Sequence, residues 1–162
     1  MNLKSLLAIA MVALLAAGCS KTDESKAVAA PAAASGPRVV QLTGNDAMKY
    51  NLNTIEAKVG EEFKVTLTNI GTMPKQAMGH NFVVLKAGSD AAAFSVAAAA
   101  PAAGAEHIPP TLADQVIAHT KMLGPKEADS VTLKFTEPGE YPYLCSFPAH
   151  FQVGMKGVII VK

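Results

Sequence analysis

The sequence predicts an all-β fold, a Greek-key β-sandwich with a short inserted helix, on three observations. From Arg38 onward, short apolar runs recur between turn residues, most of them alternating with the period of a half-buried strand. One Ala-rich stretch, Ser89 to Ala103, breaks that pattern. The residues before Arg38 have the composition of an export signal followed by a linker rather than of a folded core.

The strands follow in order. Val39–Leu42 leads into the turn Gly44-Asn45-Asp46. Met48, Tyr50 and Leu52 alternate with polar residues, and Ile55, Ala57 and Val59 resume the alternation after a phase slip that implies a bulge or corner. Phe63, Val65 and Leu67 form a clean alternating run closed by Asn69-Ile70-Gly71-Thr72. Further strands are expected at Asn81–Leu85, Val131/Leu133/Phe135, Tyr141/Tyr143/Cys145 and Val158–Val161, with Glu137-Pro138-Gly139-Glu140 as a tight turn. About seven or eight strands of this length are the signature of a sandwich. In the Ala-rich stretch, Ser89 or Asp90 can cap a helix that Pro101 helps to stop and that Phe94 and Val96 would pack. His107 falls in a Pro-containing loop, and His119 in a surface strand.

The N-terminus divides the chain. Lys4 precedes twelve consecutive apolar residues, Leu6 to Ala17, a run too short to span a bilayer but suited to a secretory signal. Ala16-Ala17-Gly18-Cys19 resembles the lipobox of bacterial lipoproteins, which implies a signal peptide over 1–18 and a lipid on Cys19. Residues 20–37 are polar, then rich in Ala, Pro, Ser and Gly, and read as a disordered tether that would set the domain about 25 Å from a membrane. The folded domain is expected over 38–162. That portion carries eleven basic and eleven acidic residues, so it offers no basic stripe for nucleic acid. The same neutrality implies that docking depends weakly on salt.

With Cys19 lipidated, Cys145 is a lone thiol in an oxidising compartment, a liability unless something occupies it. It ends a strand, His150 follows five residues on, Met155 five beyond that, and another strand begins at once. Far upstream, Met78-Gly79-His80-Asn81 opens a different strand. One thiolate, two imidazoles and one thioether are the donor set of a blue-copper site, a trigonal Cys and His pair with a weak axial Met. Thiolate and thioether favour Cu(I), imidazole accepts both states, and a rigid intermediate geometry moves little when one electron arrives or leaves. Other readings are an oxidase or reductase fragment, a binuclear copper domain, a copper store, and a structural lipoprotein with accidental donors. The first needs a second copper domain, and the second needs another cysteine in the ligand loop. A store favours exposed Met or His clusters.

The stretches Gly44-Asn45-Asp46-Ala47-Met48, Met78-Gly79-His80-Asn81-Phe82-Val83, Ile117-Ala118-His119-Thr120-Lys121 and Cys145-Ser146-Phe147-Pro148-Ala149-His150 resemble the cupredoxins, and azurin with its lipid-anchored relatives most of all. The resemblance covers 38–162 and implies a cupredoxin-like sandwich that carries single electrons and is not an enzyme. It implies one copper ion on His80, Cys145 and His150 with Met155 axial and the Gly79 carbonyl as a distant fifth contact. Asn81 would tie the ligand segments together, and the backbone N–H groups of Asn81 and Phe147 would bond the Cys145 sulfur. A docking patch of Met48, Met73, Ala77, Met78, Ala149 and Phe151 would surround the His150 ring edge. The implied partners are c-type cytochromes or copper-containing reductases, met by a monomer anchored at the bacterial cell envelope, the outer membrane favoured. The family pattern is broken in three places. Four residues separate His150 from Met155, a spacing similar to auracyanin and plastocyanin-like loops; the azurin disulfide is missing, Gly60 lying near one partner's place; and Asn69 stands near the place of a buried non-ligand histidine.

Overall fold

The computed structural model describes residues 36–162. The signal peptide, Cys19 and nearly all of the tether lie outside the described residues. Among the described residues, nine strands form two sheets: β1 Arg38–Asn45, β2 Lys49–Tyr50, β3 Thr54–Ala57, β4 Glu62–Asn69, β5 Val83–Leu85, β6 Val116–His119, β7 Ala128–Lys134, β8 Gly139–Leu144 and β9 Lys156–Val161. One sheet runs β2-β1-β4-β7 and the other β3-β9-β8-β5-β6. β1 lies parallel to β4 and β3 parallel to β9, while every other pairing is antiparallel. The sheets face each other as a sandwich with a short helix, the cupredoxin-like fold.

The strand alternation does what it predicts. In β4, Phe63, Val65 and Leu67 are fully buried while Glu62 and Lys64 face water. They meet Leu42, Phe82, Tyr143 and Ile159 in one cluster between the sheets. Burying each such side chain contributes about 1.5–3 kcal/mol. The Tyr143 ring packs 5.1 Å from Phe82 and 5.8 Å from Tyr50, and its hydroxyl donates to the Leu52 carbonyl at 2.8 Å. Opposite it in β9 stands Gly157, where a Cβ would fall 2.3 Å from the Tyr143 ring. Glycine there is the room the tyrosine occupies.

The structure corrects several elements. The expected strand around Met48, Tyr50 and Leu52 shrinks to two residues, because Met48 adopts φ 55° in the turn and the chain bends at Asn51, whose Oδ1 accepts the Thr43 N–H at 2.7 Å. That bend is the corner implied by the phase slip. Val59 leaves the strand for a turn closed by Glu61 N–H to Lys58 carbonyl, and is exposed. Asn81 and Phe82 precede β5 rather than join it.

The inserted helix forms as α2, Ala91–Ala98, after a single turn of helix at Lys75–Met78, α1. Asp90 supplies the cap, its Oδ1 accepting the Ala92 and Ala93 N–H groups at 2.9 and 3.0 Å. The helix ends before Pro101, which starts a separate 3-10 turn. Phe94 packs it, together with Ala98 four residues on, but Val96 is 68% exposed because it falls on the opposite face.

Candidate metal centre

Three donors converge at one end of the sandwich. His80 sits just before β5, held by paired bonds with Leu123: its N–H donates at 3.1 Å and its carbonyl accepts at 2.7 Å. Cys145 follows β8, and its N–H donates to the Met155 carbonyl at 3.0 Å, which closes the base of the ligand loop. Inside the loop, His150 N–H bonds the Phe147 carbonyl at 3.1 Å and Met155 N–H the His150 carbonyl at 2.9 Å. His80, His150 and Met155 are each held through both backbone N–H and carbonyl, and Cys145 through its N–H.

The two Nδ1 atoms of His80 and His150 stand 3.3 Å apart, and the Cys145 Sγ lies 4.0 and 3.4 Å from them. Nitrogens about 2.0–2.1 Å from a shared ion, subtending a near-tetrahedral angle, would be about 3.3 Å apart. Cys145 and His80 are fully buried and His150 is 2% exposed. Met155 is fully buried as well. A Cβ on Gly44 would meet its methyl at 2.8 Å and the His80 ring at 3.0 Å, so both side chains abut the same glycine. The Cys145 thiol faces the Gly79 carbonyl at 3.9 Å.

Electrostatics favour neutral, donor-ready groups. Burial pulls His150 down to about 4, helped by His80 and His107, and burial also lowers His80. Burial pushes the Cys145 thiol up to about 12, with the N–H groups of Asn81 and Phe147 acting in the opposite direction. Imidazoles of this kind present lone pairs, and a cation would displace the thiol proton. His80 Nε2 is the one buried side-chain polar atom among the described residues with no hydrogen-bond partner. A proton kept on Nε2 leaves the Nδ1 lone pair aimed at its neighbours. Three buried electron-rich atoms facing each other are mutually unfavourable without a cation between them, and one thiolate with two imidazoles and a thioether is the donor set of blue copper. The residues present fit the ion.

Asn81 joins the two ligand segments. Its Oδ1 accepts the Ser146 N–H at 2.9 Å, and its amide donates to Ser146 Oγ at 2.8 Å and to the Glu106 carbonyl at 3.0 Å. Phe147 stacks 4.7 Å from the His150 ring. Of the residues expected in the docking patch, Met73, Ala77 and Ala149 are exposed, and Met48 and Met78 are half-buried. Phe151 is half-buried too, but it packs against the Phe94 cluster with Lys156 over its ring at 4.1 Å. His119 is exposed on β6 and lies outside the site.

Sequence reasoning missed Glu106, whose carboxylate accepts the Met122 N–H while its carbonyl holds Asn81. The sequence places His107 in a loop, as the structure does, and there the ring packs edge-on against Phe147 at 5.2 Å and bonds the Ala98 carbonyl through Nδ1 at 3.0 Å. No local pattern announces either contact, since both join segments distant in the chain. Asn69, by contrast, is buried and satisfied, donating to the Leu123 carbonyl at 3.1 Å and accepting the Gly71 N–H at 2.8 Å.

Sandwich and donor set together define a type 1 copper protein with its site on His80, Cys145, His150 and Met155. The chain belongs to the plastocyanin/azurin family of copper binding proteins, whose pattern it matches over residues 38–162. It is 41% identical to azurin from Alcaligenes faecalis over 125 residues, 74% of this chain and 94% of that protein. It is 37% identical to outer membrane protein H.8 of Neisseria meningitidis serogroup B over 119 residues, 72% of this chain and 63% of that protein. The dithionite-reduced auracyanin of Roseiflexus castenholzii superposes with a TM-score of 0.67 at 32% identity, covering 78% of this chain and 99% of that one. The chain is accordingly an azurin-like electron carrier and not an enzyme.

Proposed function

We propose that this chain passes single electrons between redox proteins at a bacterial cell envelope, tethered to a membrane by lipid on Cys19. The observation that carries the electron-transfer reading is the buried convergence of Cys145 Sγ with the Nδ1 atoms of His80 and His150. Copper bound there supplies a one-electron Cu(II)/Cu(I) couple. The protein's part is to keep the donors still. Backbone bonds at both ends of the ligand loop and the Asn81 bridge hold them in place, and the N–H groups of Asn81 and Phe147 draw charge from the sulfur. The Gly79 carbonyl, 3.9 Å from the Cys145 sulfur, would add a weak contact to an ion held there.

Electrons enter and leave at the His150 end. Met48, Met73, Ala77, Met78 and Ala149 offer a flexible, polarisable apolar rim there, with Phe151 supporting the loop from behind. The fitting partners are c-type cytochromes or copper-containing reductases. The apolar run before Ala16-Ala17-Gly18-Cys19 and the similarity to an outer membrane protein support the envelope location, the outer membrane favoured.

One experiment with two arms tests this reading. Expressed in a bacterial host, the full chain should fractionate with membranes and Cys19→Ser should move it to the soluble fraction. The soluble copper form should then be reduced by a c-type cytochrome at a rate that depends weakly on salt and falls roughly tenfold in Ala77→Glu, because a desolvated charge opposes apolar docking. Retention of Cys19→Ser in the membrane, or an unchanged rate in Ala77→Glu, would contradict the anchor or the docking face respectively.

A further inference from the structure

The hairpin joining β1 to β2 contributes no donor to the copper site, yet it touches both ligand-bearing segments. Gly44 lies under Met155 and His80. Tyr50 donates its hydroxyl to the carbonyl of Asn81, the residue after His80. The Lys49 ammonium donates to the carbonyl of Val153, midway between His150 and Met155, and lies so near that a Cβ on Gly154 would come within 2.7 Å of it.

The hairpin is built to hold still. Its three-residue loop, Asp46 to Met48, is closed by Met48 N–H to Asn45 carbonyl at 2.9 Å and Ala47 N–H to Asn45 Oδ1 at 3.0 Å, with Met48 in the left-handed region. At its tip the Asp46 carboxylate accepts Thr72 N–H at 2.8 Å and Thr72 Oγ1–H at 2.9 Å. Lys49 therefore projects from a fixed base.

Lys49 is exposed, and core packing does not require it. Among the described residues the ion pairs are Arg38–Glu61 and Lys162–Glu56, so its charge has no carboxylate partner. Folding a long cationic side chain back onto a loop carbonyl costs rotamer freedom, which a charge-assisted hydrogen bond offsets. The other cation beside this loop, Lys156, is occupied by the Phe151 ring.

We propose that Lys49 is a positioning residue of the copper centre: through the Val153 carbonyl it pins the arc that sets Met155 against His150, and its unpaired charge favours the reduced ion. A positive charge held beside the site disfavours the more highly charged oxidation state. Tyr50 grips the facing segment, so one hairpin clamps both halves of the site. The electrostatic part rests on the copper reading above, whereas the positioning part does not.

Lys49→Met keeps the apolar stem and removes donor and charge; Lys49→Arg restores both. In the metal-free protein, amide hydrogen exchange followed by NMR should be at least about threefold faster at Gly154 and Met155 in Lys49→Met, unchanged at Phe63, and restored in Lys49→Arg. Unchanged protection of the arc, or an equal rise at Phe63, overturns the positioning role. In the copper-loaded protein the reduction potential should fall in Lys49→Met, by a difference that shrinks as salt is added, and return in Lys49→Arg. Equal potentials overturn the electrostatic role. A protein that never takes up copper would sink the copper reading instead, and the exchange experiment would still decide the positioning.

Discussion

Cys145→Ser should abolish the intense visible absorption that the unaltered protein acquires with Cu(II), while leaving the metal-free fold nearly as stable as before. The colour of a type 1 site comes from charge transfer between thiolate sulfur and Cu(II), and Cys145 is the one cysteine among the described residues. A serine oxygen is harder, stays protonated near neutral pH and offers no sulfur-to-Cu(II) charge transfer, so the variant should bind copper weakly and without that band. The fold has little reason to fail. The thiol is fully buried, but the N–H groups of Asn81 and Phe147 already point at its sulfur and can donate to an oxygen in its place. A buried hydroxyl with its hydrogen bonds made alters stability by about 1 kcal/mol. Absorption spectra with Cu(II) and a thermal melt without metal read both halves. A blue Cys145→Ser protein would contradict the assignment of the sulfur.

Phe63→Ala should do the opposite, lowering stability by about 3–5 kcal/mol while leaving the colour of the folded protein unchanged. Phe63 lies in β4, between β1 and β7, with its ring fully buried, 6.2 Å from Phe135 and capped by the Arg38 guanidinium at 4.8 Å. Two sheets pinned by neighbouring strands cannot close on the vacated space, so the variant loses both the transfer free energy of the ring and its contacts. None of the copper donors belongs to the cluster that Phe63 helps to fill. Denaturant unfolding of the metal-free protein measures the loss, and a change below about 1 kcal/mol would show that the site collapses or that the ring carries little.

These two substitutions mirror what could be read from the chain before any coordinates. Phe63, Val65 and Leu67 declared a strand because period-two burial leaves a period-two sequence, whereas β9 was legible only as a short continuous apolar run, Val158 to Val161. His80, Cys145, His150 and Met155 were legible because copper chemistry restricts the donor types so narrowly. Three of the four, moreover, share one loop. Two local readings were misjudged, one in the helix and one in a strand. Val96 is as apolar as Phe94, and only the helix phase set by the Asp90 cap sends one outward and the other in. The Met48–Leu52 alternation promised a longer strand, but left-handed backbone at Met48 and the Asn51 side-chain bond to Thr43 interrupt it.

Contacts made across the fold were the least visible. Lys49 on Val153, Tyr50 on Asn81 and Glu106 on both Asn81 and Met122 join segments that no local rule connects. They concern how firmly the site is held rather than which atoms form it. That distinction explains why the ligands and Asn81 could be listed from the sequence while Lys49, Tyr50 and Glu106 could not. Donor chemistry is a property of residue types, and support is a property of placement.

The most direct measurement is the visible and electron paramagnetic resonance spectrum of residues 38–162 after addition of one equivalent of Cu(II). An intense blue band with an unusually small copper hyperfine splitting, both bleached by a one-electron reductant, is the predicted result. A pale, weakly absorbing complex with the splitting of an ordinary square-planar Cu(II) site would contradict it, because it would mean that the Cys145 sulfur and the two imidazoles do not meet on one ion.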